Sequence, residues 1–112
     1  MSRLQGFGPL IYVPVNAAAS GNNTLRAAAG AGLRIALCQA FISAGGAVVA
    51  KIQDGAGGTA MIDMIDMNGS GGFVLPPSLD EGWCITSANT LLNLNLSAAV
   101  QCGGVIGIRI GQ

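Results

Sequence analysis

The sequence predicts an all-β fold, a single antiparallel β-sandwich of jelly-roll or Ig-like type with about eight strands, on three observations. Short apolar runs recur about every ten residues, separated by clusters of Gly, Asn, Ser and Pro. Several of these runs alternate apolar and polar residues with period two, as half-buried strands do. The segments between them are too short to carry crossover helices, so neighbouring strands must run antiparallel.

Residues 1–10 read as an extended N-terminal arm and 11–112 as the sandwich domain. Gly6, Gly8 and Pro9 keep the arm irregular. Ile11-Tyr12-Val13-Pro14-Val15 is a short strand, and Pro14 cannot donate to a ladder, which places the strand at a sheet edge. Residues 16–23 read as a loop. The stretch 24–43 reads as two strands, 24–29 and 33–43, although Leu33, Leu37 and Phe41 also fall at the i, i+4 spacing of a helix. Gly30 and Gly32 favour strands, because they would weaken a helix interior.

The rest of the chain is better marked. Residues 47–53 form a strand with Val48, Ala50 and Ile52 on one face, and 54–58 form a turn. Residues 59–67 form a strand, followed by the glycine-rich turn 68–72. Phe73-Val74-Leu75 is a strand stopped by Pro76-Pro77. Trp83-Cys84-Ile85-Thr86 follows, and then Leu92, Leu94 and Leu96 alternate with Asn93, Asn95 and Ser97. Residues 99–110 close the domain, with Ile106, Ile108 and Ile110 opposite Val105, Gly107 and Arg109.

Composition restricts function. The 112-residue chain is the size of one domain and carries only 9% charged residues, against roughly 25% in a typical soluble domain. Such a surface is expected to be covered by partners. The most apolar window, 27–50, contains Arg34, Gln39, Ser43 and several glycines, which argues against a spanning helix. No signal-peptide core precedes Gly6, Gly8 and Pro9, so synthesis in a cytoplasm is expected. The five cations are scattered and balanced by five anions, so the basic stripe of a nucleic-acid binder is missing.

Catalytic chemistry finds little to work with. The chain has no histidine, which removes the commonest general base and any Ser-His-Asp or Cys-His arrangement. Asp63 and Asp66 are three apart and point to opposite faces of a regular strand; only a bulge would bring them together. Asp80-Glu81 is far short of a calcium cage. The glycine clusters at 55–58 and 69–72 are followed by strands, so they read as turns rather than phosphate loops. Cys38, Cys84 and Cys102 are an odd set at wide spacing; they read as small buried hydrophobes, the alternative being one internal disulfide with a spare thiol. The prediction is no enzyme, no cofactor, no metal, and no membrane or nucleic-acid partner.

Association remains. Strands 47–53 and 59–67 are apolar on both faces, and such strands are covered on both sides. The expected contacts are the arm and its neighbours (Leu4, Phe7, Leu10, Tyr12) and a second apolar face (Val49, Ile62, Met64). Removing residues 2–9 is expected to weaken assembly and leave the fold intact.

The segments Gly72-Phe73-Val74-Leu75-Pro76-Pro77, Trp83-Cys84-Ile85-Thr86-Ser87-Ala88-Asn89 and Leu92-Asn93-Leu94-Asn95-Leu96-Ser97, with the closing strand after Gly103-Gly104, resemble small β-sandwich virion proteins of tailed bacteriophages. The resemblance spans about residues 33–110, to the capsid decoration or cement type. It implies a homo-oligomer, a trimer favoured, bound to the major capsid protein or another virion protein, located in the virion and without an active site. A tail, baseplate or fibre component fits the same features. A carbohydrate-binding module centred on Trp83 is the alternative of another class.

Overall fold

The computed structural model describes residues 3–68 and 71–112, with Met64 described by its backbone only. No helix occurs among these residues. Nine strands follow in chain order: β1 (Ile11–Ala17), β2 (Gly21–Arg26), β3 (Arg34–Ala44), β4 (Val48–Asp54), β5 (Thr59–Met67), β6 (Gly72–Leu75), β7 (Cys84–Ile85), β8 (Leu92–Leu96) and β9 (Cys102–Gly111). One sheet has the order β1-β9-β3-β6, with β7 also paired to β3; the other has the order β2-β8-β4-β5. All pairings are antiparallel.

β6 and β7 lie end to end along one edge of β3, facing Ala40–Ser43 and Ala36–Leu37. Counted as one interrupted strand, they reduce the chain to eight. The first, eighth, third and sixth then form one sheet, and the second, seventh, fourth and fifth the other. Successive strands therefore alternate between sheets except at the β4–β5 hairpin. That is the double Greek key of a jelly roll. In an Ig-like sandwich the first two strands share a sheet, so the jelly-roll alternative is the one realised.

The inner faces meet in one apolar core. Ile35, Leu37, Ala40, Ile42, Ile106 and Ile108 from the first sheet pack against Ala50, Ile52, Met67, Leu92, Leu94 and Leu96 from the second. The alternation of leucines and asparagines in β8 puts every leucine inside. Pro14 lies on an edge strand, as its missing N–H requires.

Three boundaries differ from the sequence reading by three residues, the start of β9 (Cys102 rather than 99) and both ends of β2. β2 begins at Gly21 rather than 24 and ends at Arg26, so the first loop shrinks and residues 27–33 form a longer connection. Asn22 and Asn23, which signal loops in sequence, are held in the strand by their amides. Asn23 Nδ2 donates to the carbonyls of Ala19 at 2.9 Å and Leu94 at 3.3 Å.

The decisive irregularity is a β-bulge in β3. The pairing with β9 steps from Leu37↔Ile108 to Gln39↔Gly107, leaving Cys38 as the extra residue. The bulge reverses the side-chain alternation. Ile35 and Leu37 point inward before it, and Ala40, Ile42 and Ala44 after it. Phe41, which would join Leu37 inside a regular strand, faces out.

The arm is a correction. Residues 3–10 do not stand away from the sandwich. They fold back over the outer face of the first sheet as a strap, where Leu4 (0% exposed) and Phe7 form a second small core with Ala36 and Cys38, joined by Leu10 and Ile85. Leu4 N donates to the Asp80 carbonyl at 2.9 Å and Gly8 N to the Ile110 carbonyl at 2.7 Å. The sequence missed this because apolar residues between glycines read equally well as a free tail. Removing residues 2–9 would uncover Ala36, Cys38 and Ile85, so the strap belongs to the fold.

Gly104 has φ of +146°, and a Cβ there would collide with the Phe41 carbonyl. Gly104→Ala is therefore expected to destabilise the domain by about 2–4 kcal/mol, read as a lowered midpoint in urea unfolding. Gly57→Ala, at a positive φ but in open space, should cost only about 1 kcal/mol.

Candidate functional site

The residues singled out in the sequence are dispersed. Leu4 and Phe7 are buried in the strap, and Leu10 is half-buried beside them. Val49 is half-buried on the outer face of the second sheet, paired with Asp66. Ile62 pairs with Ile52 and packs on the main core, because β5 is irregular opposite Ala50–Gln53. The side chain of Met64 lies outside the described residues. Ile62 therefore does not join Val49 on an outer apolar face. Among the predicted contact residues whose side chains are described, Tyr12, 60% exposed, is the one on open surface.

The irregularity in β5 also corrects the reading of its two carboxylates. Asp66 pairs with outward-facing Val49, and Asp63 lies 3.8 Å from Lys51 on the same face. Both therefore lie on the outer side of the second sheet. That surface is polar. Asn22 Oδ1 accepts from Gly57 N at 3.0 Å, Asn93 Nδ2 at 3.0 Å and Asn95 Nδ2 at 3.3 Å, and Asn93 also donates to Gln53 Oε1 at 2.8 Å. Amides thus share it with Lys51, Asp63 and Asp66, and Asn93 and Gln53 are buried within the network.

The apolar surface lies on the other sheet. Register places Pro14, Val105, Phe41 and Val74 side by side across β1, β9, β3 and β6, in one transverse row. Phe41 is 55% exposed, Val74 62% and Val105 40%. Tyr12 stands two residues along from Pro14, next to Gly107. Beside Phe41 and Val74 runs a groove of about 270 Å³, lined also by Phe73, Ser43, Gly71 and Gly72. Asn16, Ser43 and Gln101 border this half of the sheet, with Gln101 Nε2 donating to Asn16 Oδ1 at 2.7 Å. The row and the groove carry no charged side chain.

Two arginines keep the strap over the remaining half. Arg109 donates from Nε to the Gly8 carbonyl at 2.6 Å and from its terminal nitrogens to the carbonyls of Phe7 and Leu79, both at 2.7 Å. Arg3 donates to the carbonyls of Glu81 at 2.7 Å and Gly82 at 2.9 Å. The fork geometry of guanidinium lets one side chain gather carbonyls from strap and loop together. The loop itself sits on the bulge, with Ser78 N donating to the Cys38 carbonyl at 2.8 Å and Trp83 N to the Leu37 carbonyl at 2.7 Å. Trp83 is partly exposed, its indole N–H donating to the Pro76 carbonyl at 2.8 Å.

Titratable chemistry is sparse. Cys38, Cys84 and Cys102 are free, buried thiols. Burial pushes all three up, Cys84 to about 12. A thiol held neutral is a poor nucleophile. Among the described residues no group of three or more His, Cys, Asp or Glu is placed to hold a metal ion, and no helix is long and apolar enough to cross a membrane.

Sequence reasoning missed Phe41, Val74, Val105 and Pro14. The usable signal was apolar residues on both faces of β3, β6 and β9, the same criterion applied to β4 and β5. The bulge that turns Phe41 outward left no mark in the sequence.

No protein-family model matches this chain, and no curated protein or solved structure matches it.

Arg109→Ala would leave three carbonyls without their donor and is expected to cost about 2–3 kcal/mol. Faster hydrogen exchange at the Leu4 and Gly8 amides would report the loosened strap. The native thiols should resist a disulfide reagent at neutral pH and react fully only in denaturant. Because folding raises the thiol pKa, the unfolded state loses its protons first. Stability should therefore hold below about pH 9, the ordinary thiol value, and fall as pH rises towards about 12. Urea midpoints across that range measure the slope.

Proposed function

We propose that this chain is a non-enzymatic structural subunit of a larger assembly, of the kind that decorates or cements a phage capsid. It works by burying the uncharged outer half of its first sheet against neighbouring protein. The observation that carries this reading is the exposed transverse row of Pro14, Val105, Phe41 and Val74, with Tyr12 beside it. The largest open apolar patch on a domain is often an interaction surface. Contact there would remove apolar area from water at about 25 cal/mol per Å² before the costs of association. A subunit that binds only the assembled state stabilises that state by mass action.

Two features support a structural rather than a catalytic role. The chain lacks histidine and its thiols are held neutral in the interior. The virion setting rests on the resemblance of residues 33–110 to phage decoration proteins, and the jelly roll suits a shell-associated protein, since capsid domains use that architecture. The partners would be copies of the same chain together with the major capsid protein.

The test is immunogold electron microscopy of phage particles from the source culture, using antibody against this chain. Gold on the head is the expected outcome. Gold on the tail or baseplate would move the protein to a tail or fibre role, and unlabelled particles would remove the virion reading altogether. Titration of Trp83 fluorescence with mono- and oligosaccharides addresses the carbohydrate-binding alternative; no saturable change is expected.

A further inference from the structure

The open half of the first sheet carries a ridge and a groove side by side. Phe41 and Val105 form the ridge, and the groove of about 270 Å³ lies between Phe41 and β6, with Gly71 and Gly72 in its lining. Gly103 and Gly72 both pair with Ser43, so the positions diagonal to Phe41 on its outward face, on both neighbouring strands, have no side chain to shield it. From this arrangement we infer that the face docks against the same face of a second copy of this chain about a two-fold axis, each Phe41 entering the other copy's groove beside Val74.

Three observations select a second copy as the occupant. A two-fold contact requires that one patch hold both the projecting and the receiving part, because residue i meets j while j meets i. Ridge and groove here share Phe41, with Val105 on the ridge side and Val74 on the groove side. The patch carries no charged side chain, so bringing two identical copies together creates no like-charge repulsion, the ordinary obstacle to self-contact. Its anatomy is that of an interface, with an apolar centre and the uncharged polar border of Asn16, Ser43 and Gln101. Pairing through the edge of β1 instead is disfavoured by Pro14, which offers no N–H to a new strand.

Area sets the strength. Tyr12 and Phe41, at 60% and 55% exposure, leave roughly 110 Å² each open, and the whole patch is on the order of 400 Å². A stable dimer buries about 800 Å² per partner. The self-contact is therefore weak when two copies meet alone. It becomes effective where copies are held at high local concentration on a larger assembly. The inference rests on the reading of this face as an assembly surface and names its partner.

Light scattering of the full chain from about 10 μM to about 1 mM is the test. The expected result is a mass rising from monomer to dimer. Phe41→Asp and Val74→Lys should each weaken dimerisation at least tenfold, with unchanged far-UV circular dichroism and a thermal midpoint lowered by only a few degrees, since each side chain is more than half exposed and loses only its cross-strand pairs. An equimolar mixture of the two variants should recover a heterodimer, since Asp at 41 of one copy then meets Lys at 74 of the other. A monomer throughout, a trimer, or a dimer indifferent to Phe41→Asp would overturn the inference. A monomer in solution with gold-labelled heads would sink the two-fold contact and leave the assembly function standing. A dimer sensitive to Phe41→Asp, with unlabelled particles, would do the reverse.

Discussion

The bulge at Cys38 is the constraint on which the rest of the molecule depends. One extra residue in β3 reverses its alternation halfway along. The first half points Ile35 and Leu37 into the core and Ala36 and Cys38 out; the second half points Ala40, Ile42 and Ala44 in and Phe41 out. The bulge also divides the neighbouring edge strand. β7 pairs before it and β6 after it, and the loop between them docks on the carbonyls of Leu37 and Cys38. That loop then supplies the carbonyls of Leu79, Asp80, Glu81 and Gly82 that hold the strap through Arg109, Leu4 N and Arg3. A single register shift thus links the covered half of the sheet to the open half.

The two outer faces solve the shortage of charge differently. The second sheet turns Asn22, Asn93, Asn95 and Gln53 into a connected amide network, with Lys51 and Asp63 at its side. Amides bond to one another without the desolvation cost that buried charges carry. The first sheet covers one half with its own N-terminal residues and leaves the other half apolar. The low ionic content that stands out in the sequence is therefore felt on one face only.

Much of the fold was legible in the sequence. The sandwich, its antiparallel sheets, the edge position of the Pro14 strand and the inward leucines of β8 all follow from period-two patterning and turn residues. These are local signals, and they survive folding because each strand meets the core on one face. The candidate site was less legible. Val49 and Ile62 were grouped by alternation alone, and the irregularity in β5 separates them by turning Ile62 onto the core. The same irregularity puts Asp63 and Asp66 on one side, against the parity of a regular strand.

By itself, the sequence determined the class of fold, the absence of histidine and the scarcity of ions, because these depend on residue type and short-range period. The tertiary structure decided which apolar residues stay in the open. A bulge is a property of two paired strands, and the single-strand pattern of β3 does not contain it. The fate of residues 3–10 was likewise decided by a partner surface, Ala36, Cys38 and Ile85, which exists only once the sheet has formed. The row of Pro14, Val105, Phe41 and Val74 draws on four strands spread over most of the chain, so only pairing register could bring it together.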